Sequence, residues 1–137
     1  MYRIVLLIFL VIFNIGQSHA DIPKSQPEYL HPDKAFQITY SIVNEEHITI
    51  NWKIHPGYYL YMGMFEFESL DKNSKILRVE MPEGKKKTDE FFGEVDVYYL
   101  AADADIYLEK NNYDSINIKV KYQGCADAGL CYPPIYK

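Results

Sequence analysis

The chain has 137 residues, of which 48% are hydrophobic, and it carries a formal net charge of −5 and 2 cysteines. This size and apolar content suffice for one domain with its own hydrophobic core, and two cysteines are too few for a scaffold held together by disulfides. The acidic balance argues against nucleic-acid binding, which needs a basic face.

The N-terminus has the pattern of a secretory signal peptide. Arg3 supplies a basic start, residues 4–13 are an unbroken apolar run, and a small-x-small cleavage site ends at Ala20. We predict cleavage after Ala20, which leaves an extended tail over 21–28 and one domain over 29–137. The alternative is an uncleaved membrane anchor, but the apolar run is about half as long as a membrane-spanning helix.

Regular alternation of apolar and polar residues marks the first two predicted strands. Residues 36–42 carry an aromatic or β-branched residue at every second position, and residues 48–54 repeat the pattern. The polar residues 44–46 favour a turn between them, and the proline and glycine that follow end the second run. We therefore predict an antiparallel hairpin with one buried face, on which Trp52 is a core aromatic residue.

Further apolar segments are predicted as strands over 58–67, 76–81, 95–100, 106–108 and 116–122. Residues 82–88, which include three consecutive lysines, are predicted as a solvated loop. No segment has a sustained helical period. Seven or eight short strands predict an all-β fold, an immunoglobulin-like antiparallel β-sandwich.

The two cysteines are separated by a short loop. Between Cys125 and Cys131, the residues are small, turn-forming or singly charged, apart from Leu130. Such a loop lets the two sulfurs come within bonding distance, and export favours their pairing. Closing a loop of this size would stabilise the fold by only about 2 to 2.5 kcal/mol. The residues alone leave two interpretations open, a structural disulfide and a redox site.

Four segments resemble the N-terminal periplasmic domain of the DsbD family of thiol:disulfide interchange proteins. In chain order they read HPDKAF, WKIHPGYYLY, TDEFFGEVDVYY and, at the cysteines, YQGCADAGLCYPP. Together they extend over 29–134, nearly all of the predicted exported chain. The cysteine motif with its flanking aromatic residues and prolines is specific, whereas two cysteines at this spacing alone would not be.

The resemblance implies an immunoglobulin-like domain in the periplasm with a redox disulfide at one end. It implies that Cys125 and Cys131 are the redox pair and that Cys131 forms the mixed disulfide with a partner. The expected electron donor is the thioredoxin-like domain of a DsbD-type membrane reductase. The expected acceptors are a periplasmic disulfide isomerase and the thioredoxin-like protein of cytochrome c maturation. No cofactor is expected.

The resemblance also assigns a cap loop, which consists of Asp89, Glu90, Phe91, Phe92 and Gly93. Within it, Phe91 is expected to shield the disulfide, and Gly93 can act as a hinge. Tyr59 and Tyr61 are expected to lie near the site. From the residues alone, the two phenylalanines would be ordinary core aromatics, and strand parity does not decide which face of the tyrosine strand is buried.

Acidic residues close to the cysteines suggest a hypothesis about reactivity. Asp89 and Glu90 in the cap loop and Asp127 between the cysteines would disfavour a thiolate and raise the pKa of a nearby thiol. We therefore expect a weakly reactive dithiol that is activated when a partner docks and the cap loop moves. The alternative is that these acids solvate loops, where most acids are found.

Two other functions stay open at this stage. One is an exported immunoglobulin-like binding module with a purely structural disulfide. The other is a copper carrier that uses His55, Met62, Met64 and the cysteines. We do not predict a metal site, because the exported histidines His31, His47 and His55 include no closely spaced pair and the two methionines fit strand packing equally well.

Members of this family usually carry a membrane-embedded part and a thioredoxin-like domain after this one, and this sequence contains neither. We therefore expect a fragment, a truncated product or a stand-alone domain that receives electrons from another protein. Only three residues follow residue 134. We expect either a very short last strand or a longer natural chain.

Overall fold

The structure is a computed structural model that describes residues 28–72, 74–109 and 115–137. The predicted signal peptide, its cleavage after Ala20 and all but the last residue of the predicted tail lie outside these ranges and stay predictions. Within the described ranges, no helix is long and apolar enough to cross a membrane.

Strands make up most of the described chain, and one short helix, α1 (Pro32–Ala35), precedes them. The strands are β1 (Phe36–Asn44), β2 (His47–Ile54), β3 (Tyr58–Tyr61), β4 (Glu66–Ser69), β5 (Ile76–Glu80), β6 (Lys85–Asp89), β7 (Gly93–Tyr99), β8 (Ala101–Leu108), β9 (Ile118–Tyr122), β10 (Gly124–Ala126) and β11 (Ile135–Tyr136). They form three antiparallel sheets with the strand orders β1-β2-β8-β5, β10-β3-β7-β6 and β11-β9-β4.

The predicted hairpin is confirmed, but only one of its strands is buried as expected. β1 pairs with β2 from Phe36 opposite Ile54, and every second residue of β2 is buried. On β1, Tyr40 and Ile42 were predicted on the buried face, yet they are 74% and 70% exposed. The reason is that β1 is an edge strand whose far half borders an open groove of about 1340 Å³ instead of packing against the opposite sheet.

The main core contains residues from all three sheets, and Trp52 is among its largest fully buried side chains. Trp52 is 1% exposed, and its ring makes edge contacts with Phe65 at 5.0 Å and with Tyr122 at 5.7 Å between centroids. Replacing a buried aromatic residue of this size with alanine costs about 3 to 5 kcal/mol. The prediction that Trp52 is a core aromatic residue is therefore confirmed.

The apolar segment 58–67, predicted as one strand, divides into two strands that belong to different sheets. β3 pairs with β7 and β10, whereas β4 pairs with β9. A 3₁₀ turn, Met62–Met64, redirects the chain between them. The alternation pattern could not reveal this division because all four residues of β3 are buried and the turn itself is apolar.

The prediction of a loop over residues 82–88 is correct for 82–84 and wrong for 85–88. Lys85–Asp89 forms the edge strand β6, which pairs with β7 from Lys85 opposite Val97 to Asp89 opposite Gly93. Lysines are common on edge strands because they discourage pairing with other chains. The polar composition therefore concealed a strand, and the described residues contain eleven strands instead of the predicted seven or eight.

The short strand β10 brings the cysteines to the second sheet. It pairs with β3 so that Cys125 lies opposite Tyr59 and Gly124 lies opposite Leu60. A Cβ at Gly124 would lie 2.3 Å from the carbonyl oxygen of Tyr59, so only glycine permits this close approach. The sequence of the cysteine motif thus determines how near the disulfide lies to the tyrosines of β3.

Candidate redox site

The cysteine loop, which comprises residues 125–131, is a tight turn closed by a disulfide. Cys125 and Cys131 are bonded, with their Cα atoms 4.0 Å apart. Within the loop, the Ala126 amide donates to the Leu130 carbonyl at 2.7 Å, and Gly129 adopts a φ of +101° that favours glycine. The small residues of the motif therefore allow a tight turn, in which a backbone hydrogen bond joins the two ends of the loop next to the cysteines.

The two cysteines differ in exposure. Cys125 lies on β10 and is 1% exposed, whereas Cys131 is partly exposed. An incoming thiolate attacks one sulfur of the disulfide and displaces the other sulfur, so the attacked sulfur must be accessible. Cys131 is the more exposed of the two cysteines, and its expected role in the mixed disulfide stays a prediction.

Two tyrosines of β3 lie beside the disulfide. Tyr59 and Tyr61 form a small buried cluster with Val97 and Cys125, which we call the tyrosine cluster. It is separate from the main core, which contains their neighbours on the other face of the strand. The Tyr61 hydroxyl lies 3.1 Å from Cys125 Sγ and 3.7 Å from Cys131 Sγ. Both faces of β3 are buried, and the face of Tyr59 and Tyr61 is the one at the disulfide.

Asp89, the last residue of β6, joins the tyrosines to the cap loop. It is 5% exposed, and its Oδ2 accepts hydrogen bonds from Tyr59 at 2.5 Å and from Tyr61 at 2.9 Å. Its Oδ1 accepts from the backbone amides of Phe91 at 2.8 Å and Phe92 at 3.1 Å. One carboxylate thus holds both the tyrosines beside the disulfide and the backbone of the cap loop.

These hydrogen bonds determine the charge states of the cluster. Burial alone would raise the pKa of Asp89, but the four hydrogen bonds hold it below its ordinary value, so the carboxylate is ionised at neutral pH. Burial raises the pKa of Tyr59, and the hydrogen bond to Asp89 adds to that rise. Burial also raises the pKa of Tyr61. Both tyrosines therefore keep their protons and act as hydrogen-bond donors.

The predicted cap loop extends from Asp89, the last residue of β6, to Gly93, the first residue of β7, and residues 90–92 form the turn between them. We use the name cap hairpin for β6, this turn and β7 together. Phe92 packs edge-on against Tyr61, with 5.2 Å between ring centroids, and Gly93 adopts a φ of +74°. Phe91 and Phe92 are 56% and 49% exposed, and Glu90 is exposed as well. The ring in contact with a tyrosine of the site is thus Phe92, whereas the resemblance assigned the shielding role to Phe91.

Lys87 and Tyr99 belong to the site, and the sequence analysis missed both. The Lys87 ammonium pairs with Asp127 at 3.1 Å, and the Tyr99 hydroxyl donates to the same Asp127 oxygen at 3.0 Å. Lys87 was assigned to a solvated loop. Strand parity would have placed it on the same face as Asp89, two residues later, if β6 had been recognised.

The residues considered for a metal site are engaged elsewhere. His31 caps α1 and accepts from the Asp33 amide, and His47 contacts Asp105 at 2.9 Å. Met62 packs against the main core and Met64 against the tyrosine cluster. Within residues 28–72, 74–109 and 115–137, no group of three or more His, Cys, Asp or Glu side chains could hold a metal ion.

Comparison with known proteins places the chain in a family. Residues 26–137 match the family described as "Thiol:disulfide interchange protein DsbD, N-terminal". The thiol:disulfide interchange protein DsbD of Pseudoalteromonas atlantica is 37% identical over 123 residues, which cover 88% of this chain and 20% of that protein. DsbD of Photorhabdus laumondii is 39% identical over 109 residues, 80% of this chain and 18% of that protein. The chain thus spans about a fifth of the length of these relatives.

Solved structures share the fold. The N-terminal domain of DsbD from Neisseria meningitidis in its reduced form aligns with a TM-score of 0.70 and 31% identity over 78% of this chain and 84% of that one. A structure of the complex between the DsbD N-terminal and PilB N-terminal domains of the same organism aligns with a TM-score of 0.69 and 29% identity over 80% of this chain and 84% of that one. The predicted immunoglobulin-like antiparallel β-sandwich is confirmed. The chain belongs to the family of the N-terminal domain of the thiol:disulfide interchange protein DsbD.

Proposed function

We propose that this chain is a thiol:disulfide exchange domain that relays electrons through Cys125 and Cys131 to other exported proteins. The observation that carries this proposal is a disulfide between a buried and a partly exposed cysteine, with the Tyr61 hydroxyl 3.1 Å from the buried sulfur. A purely structural disulfide needs neither an accessible sulfur nor a tyrosine hydroxyl beside the other sulfur. Family membership supports the same chemistry.

The domain is reduced in two attacks. A donor thiolate attacks Cys131 Sγ, the bond between Cys131 and Cys125 breaks, and the electron pair leaves on the Cys125 sulfur, which takes up a proton. The Tyr61 hydroxyl, which donates its proton to Asp89, lies 3.1 Å from that sulfur and can accept a hydrogen bond from the Cys125 thiol once the thiol is protonated. The second donor thiolate then attacks the donor sulfur of the mixed disulfide, so the donor is oxidised and Cys131 is released and protonated. Two electrons and two protons enter the domain.

The domain then passes the electrons on by the reverse sequence. The Cys131 thiolate attacks the substrate disulfide and forms a mixed disulfide, and one substrate thiol is released. The Cys125 thiolate attacks Cys131 Sγ, which restores the domain disulfide and releases the substrate as a dithiol. Cys131 is the nucleophile in this step because it is the more exposed cysteine.

The cap loop, Asp89 to Gly93, covers the disulfide between encounters in this proposal. Phe92 lies against Tyr61, and Asp89 holds the loop backbone through two amides, so the loop is anchored at the tyrosine cluster. The exposed phenylalanine rings offer an apolar surface that a partner can displace. Covering the sulfurs would prevent small disulfides from oxidising the reduced domain and being released as thiols.

We propose that the chain acts in the periplasm as the domain 29–137 after export. Its electron donor would be the thioredoxin-like domain of a DsbD-type membrane reductase. Its acceptors would be a periplasmic disulfide isomerase and the thioredoxin-like protein of cytochrome c maturation. The signal-peptide pattern supports export, and the neisserial structure of a DsbD N-terminal domain in complex with the PilB N-terminal domain supports protein partners.

The reduction potential of the Cys125–Cys131 pair tests this function. The exported chain is equilibrated with glutathione or dithiothreitol buffers, and the fraction of disulfide is measured by thiol labelling. An exchange domain is expected to give roughly −180 to −270 mV. A potential below about −300 mV would indicate a structural disulfide and would favour an exported binding module instead.

A further inference from the structure

Lys87 connects the cap hairpin to the cysteine loop. Its Nζ lies 3.1 Å from Oδ1 of Asp127, at the tip of the cysteine loop, and the Tyr99 hydroxyl donates to the same oxygen at 3.0 Å. The Lys87 side chain is 25% exposed, whereas the side chain of its neighbour Lys86 is 82% exposed. Lys87 is therefore held against the protein, while Lys86 extends into solvent.

The Lys87 ammonium also faces the tyrosine cluster beside the disulfide. It lies 4.6 Å from the ring centroid of Tyr59, within the range of a cation–π contact. The Tyr59 hydroxyl in turn donates to Asp89. The positive charge thus contacts Asp127 on the cysteine loop directly and reaches Asp89 through the ring of Tyr59.

Lys87 stays charged in this position. Burial lowers the pKa of its ammonium, but the contacts with Tyr99 and Asp127 outweigh burial and hold the pKa above its ordinary value. Burial raises the pKa of Tyr61, and the Lys87 charge opposes that rise. Because the Tyr61 hydroxyl lies 3.1 Å from Cys125 Sγ, the field of the lysine acts on the immediate surroundings of the disulfide.

We propose that Lys87 is a positioning residue whose charge offsets Asp89 and Asp127 and so keeps the thiols of the reduced domain more reactive than these carboxylates alone would allow. A cation near a thiol favours the thiolate, and a carboxylate disfavours it. Exchange proceeds through the thiolate, so a local excess of negative charge would slow it. The inference rests on the proposed exchange function, but its test needs no partner protein.

Several charged or titratable groups surround Lys87, and the test must distinguish their effects on the thiols from the effect of the lysine. The titratable or charged residues facing it are Asp127 from the cysteine loop, Tyr99 from β7, Tyr59 and Tyr61 from β3, and Asp89 from its own strand. Both tyrosines of β3 hold their protons at neutral pH because burial raises their pKa values. Glu90 of the cap loop adds a further carboxylate, whose Oε1 would lie 4.0 Å from a Cβ on Gly129 of the cysteine loop. The fixed charges around the thiols near pH 7 are therefore Lys87, Asp89, Asp127 and Glu90, and all variants described below retain Glu90.

Alkylation by iodoacetamide of the chemically reduced chain, measured over a pH series by mass spectrometry, tests the proposal. Lys87→Met is expected to lower the rate at pH 7 by about threefold to tenfold, because raising a thiol pKa by one unit reduces the thiolate about tenfold. Lys87→Arg keeps the charge, and its alkylation rate should equal that of the wild type. Lys86→Met, which removes the neighbouring ion pair with Asp96, is the matched control and should leave the rate unchanged.

Asp127→Asn separates the effect of charge from that of loop packing. Both Lys87→Met and Asp127→Asn break the same ion pair, but a charge effect makes the first slower and the second faster at pH 7. The double variant should return close to the wild-type rate, and all rates should converge above the thiol pKa.

Equal slowing by both single variants, a difference that persists at high pH, or a Lys87→Met rate equal to that of Lys86→Met would overturn the proposal. The outcome is independent of the proposed exchange function. A reduction potential outside the exchange range would reject that function and leave the alkylation rates interpretable.

Discussion

Asp89 is a carboxylate that the protein keeps buried and charged beside its disulfide. Four hydrogen bonds, two from tyrosine hydroxyls and two from cap-loop amides, replace the water that the carboxylate loses. Hydrogen bonds to a charged group stabilise a fold by about 1.5 to 3 kcal/mol each when the group is otherwise satisfied. Asp89 therefore contributes to stability as well as to the geometry of the site.

Because the pKa of Asp89 is lowered in the folded state, its contribution should depend on pH. This contribution is present above the unfolded-state pKa of about 3.9 and is lost as the pH falls through the lower folded-state pKa. Asp89→Asn is expected to destabilise the domain by about 1 to 3 kcal/mol at pH 7, and the difference from wild type should shrink below about pH 4. Urea unfolding at pH 7 and pH 3 measures both values.

The control for this prediction is Asp103→Asn. Asp103 accepts one exposed hydrogen bond, from Asn51 at 2.8 Å, so its replacement should change stability little at either pH. The other carboxylates with lowered pKa values, Asp33 and Asp105, titrate in both proteins and cancel in the comparison. A difference between wild type and Asp89→Asn that is equal at pH 3 and pH 7 would contradict the assignment.

The unequal exposure of the two cysteines leads to a prediction about trapping. With Cys125→Ser, the partly exposed Cys131 is left without its resolving partner and should accumulate as a mixed disulfide with a thioredoxin-like protein. With Cys131→Ser, the remaining thiol is buried, so little mixed disulfide is expected. Non-reducing gel electrophoresis after mixing with an oxidised thioredoxin-like domain distinguishes the two. Equal trapping by both variants would mean that exposure does not select the attacking sulfur.

At the scale of elements, the site depends on two short pieces that sequence patterns describe poorly. β10 has three residues and positions Cys125 opposite Tyr59, and β6 is a lysine-bearing edge strand that ends at Asp89. The cap loop is supported by β6 on one side and β7 on the other. Its position over the tyrosine cluster is therefore a consequence of strand pairing.

The contact between Phe92 and Tyr61 predicts which ring protects the disulfide. An edge-to-face aromatic pair contributes about 0.5 to 1.5 kcal/mol beyond its buried area. If this pair keeps the cap loop closed, Phe92→Ala should accelerate reduction of the disulfide by dithiothreitol roughly threefold to tenfold. Phe91→Ala is the matched variant and should have a smaller effect. The opposite order of rates would support the assignment of Phe91 as the shielding ring.

At the scale of the whole molecule, the tyrosine cluster beside the disulfide and the main core are two distinct groups of buried residues. Trp52 packs in the main core, to which all three sheets contribute, whereas Cys125 packs in a small cluster with Tyr59, Tyr61 and Val97. The seven-residue disulfide loop removes little chain entropy, so its closure stabilises the fold by only about 2 kcal/mol. Stability therefore resides mainly in the packing of the core and only to a small extent in the disulfide.

Because the main core and the tyrosine cluster are distinct, we predict that the domain stays folded when its disulfide is reduced. Reduction with dithiothreitol should lower the free energy of unfolding by about 2 kcal/mol, without loss of the cooperative transition. Tryptophan fluorescence of Trp52, followed through urea unfolding with and without reductant, measures this change. Loss of the folded signal on reduction alone would show that the disulfide is a structural requirement, which is unsuited to an electron carrier.

Much of the architecture could be predicted from local patterns. The period-two alternation of residues 36–42 and 48–54 predicts the β1–β2 hairpin, and Trp52 on its apolar face is in the core. The burial of Tyr40 and the loop over 85–88 were predicted wrongly. An edge strand has a partner on one side only, so its composition is set by solvent and by the neighbouring layer as well as by the strand itself.

The sequence by itself determined the strand-rich fold, the core tryptophan and the cysteine motif with its family. Only the tertiary structure decided that Tyr61 lies at the sulfurs, that Asp89 is buried between the tyrosines and the cap loop, and that Lys87 pairs with Asp127. The physical reason is the range of the interactions. Alternation and turn preferences act between near neighbours in the chain. The contacts of the site join residues that are far apart in the chain: 28 positions for Tyr61 and Asp89, 40 for Lys87 and Asp127, and 64 for Tyr61 and Cys125. They exist only after the sheets have paired.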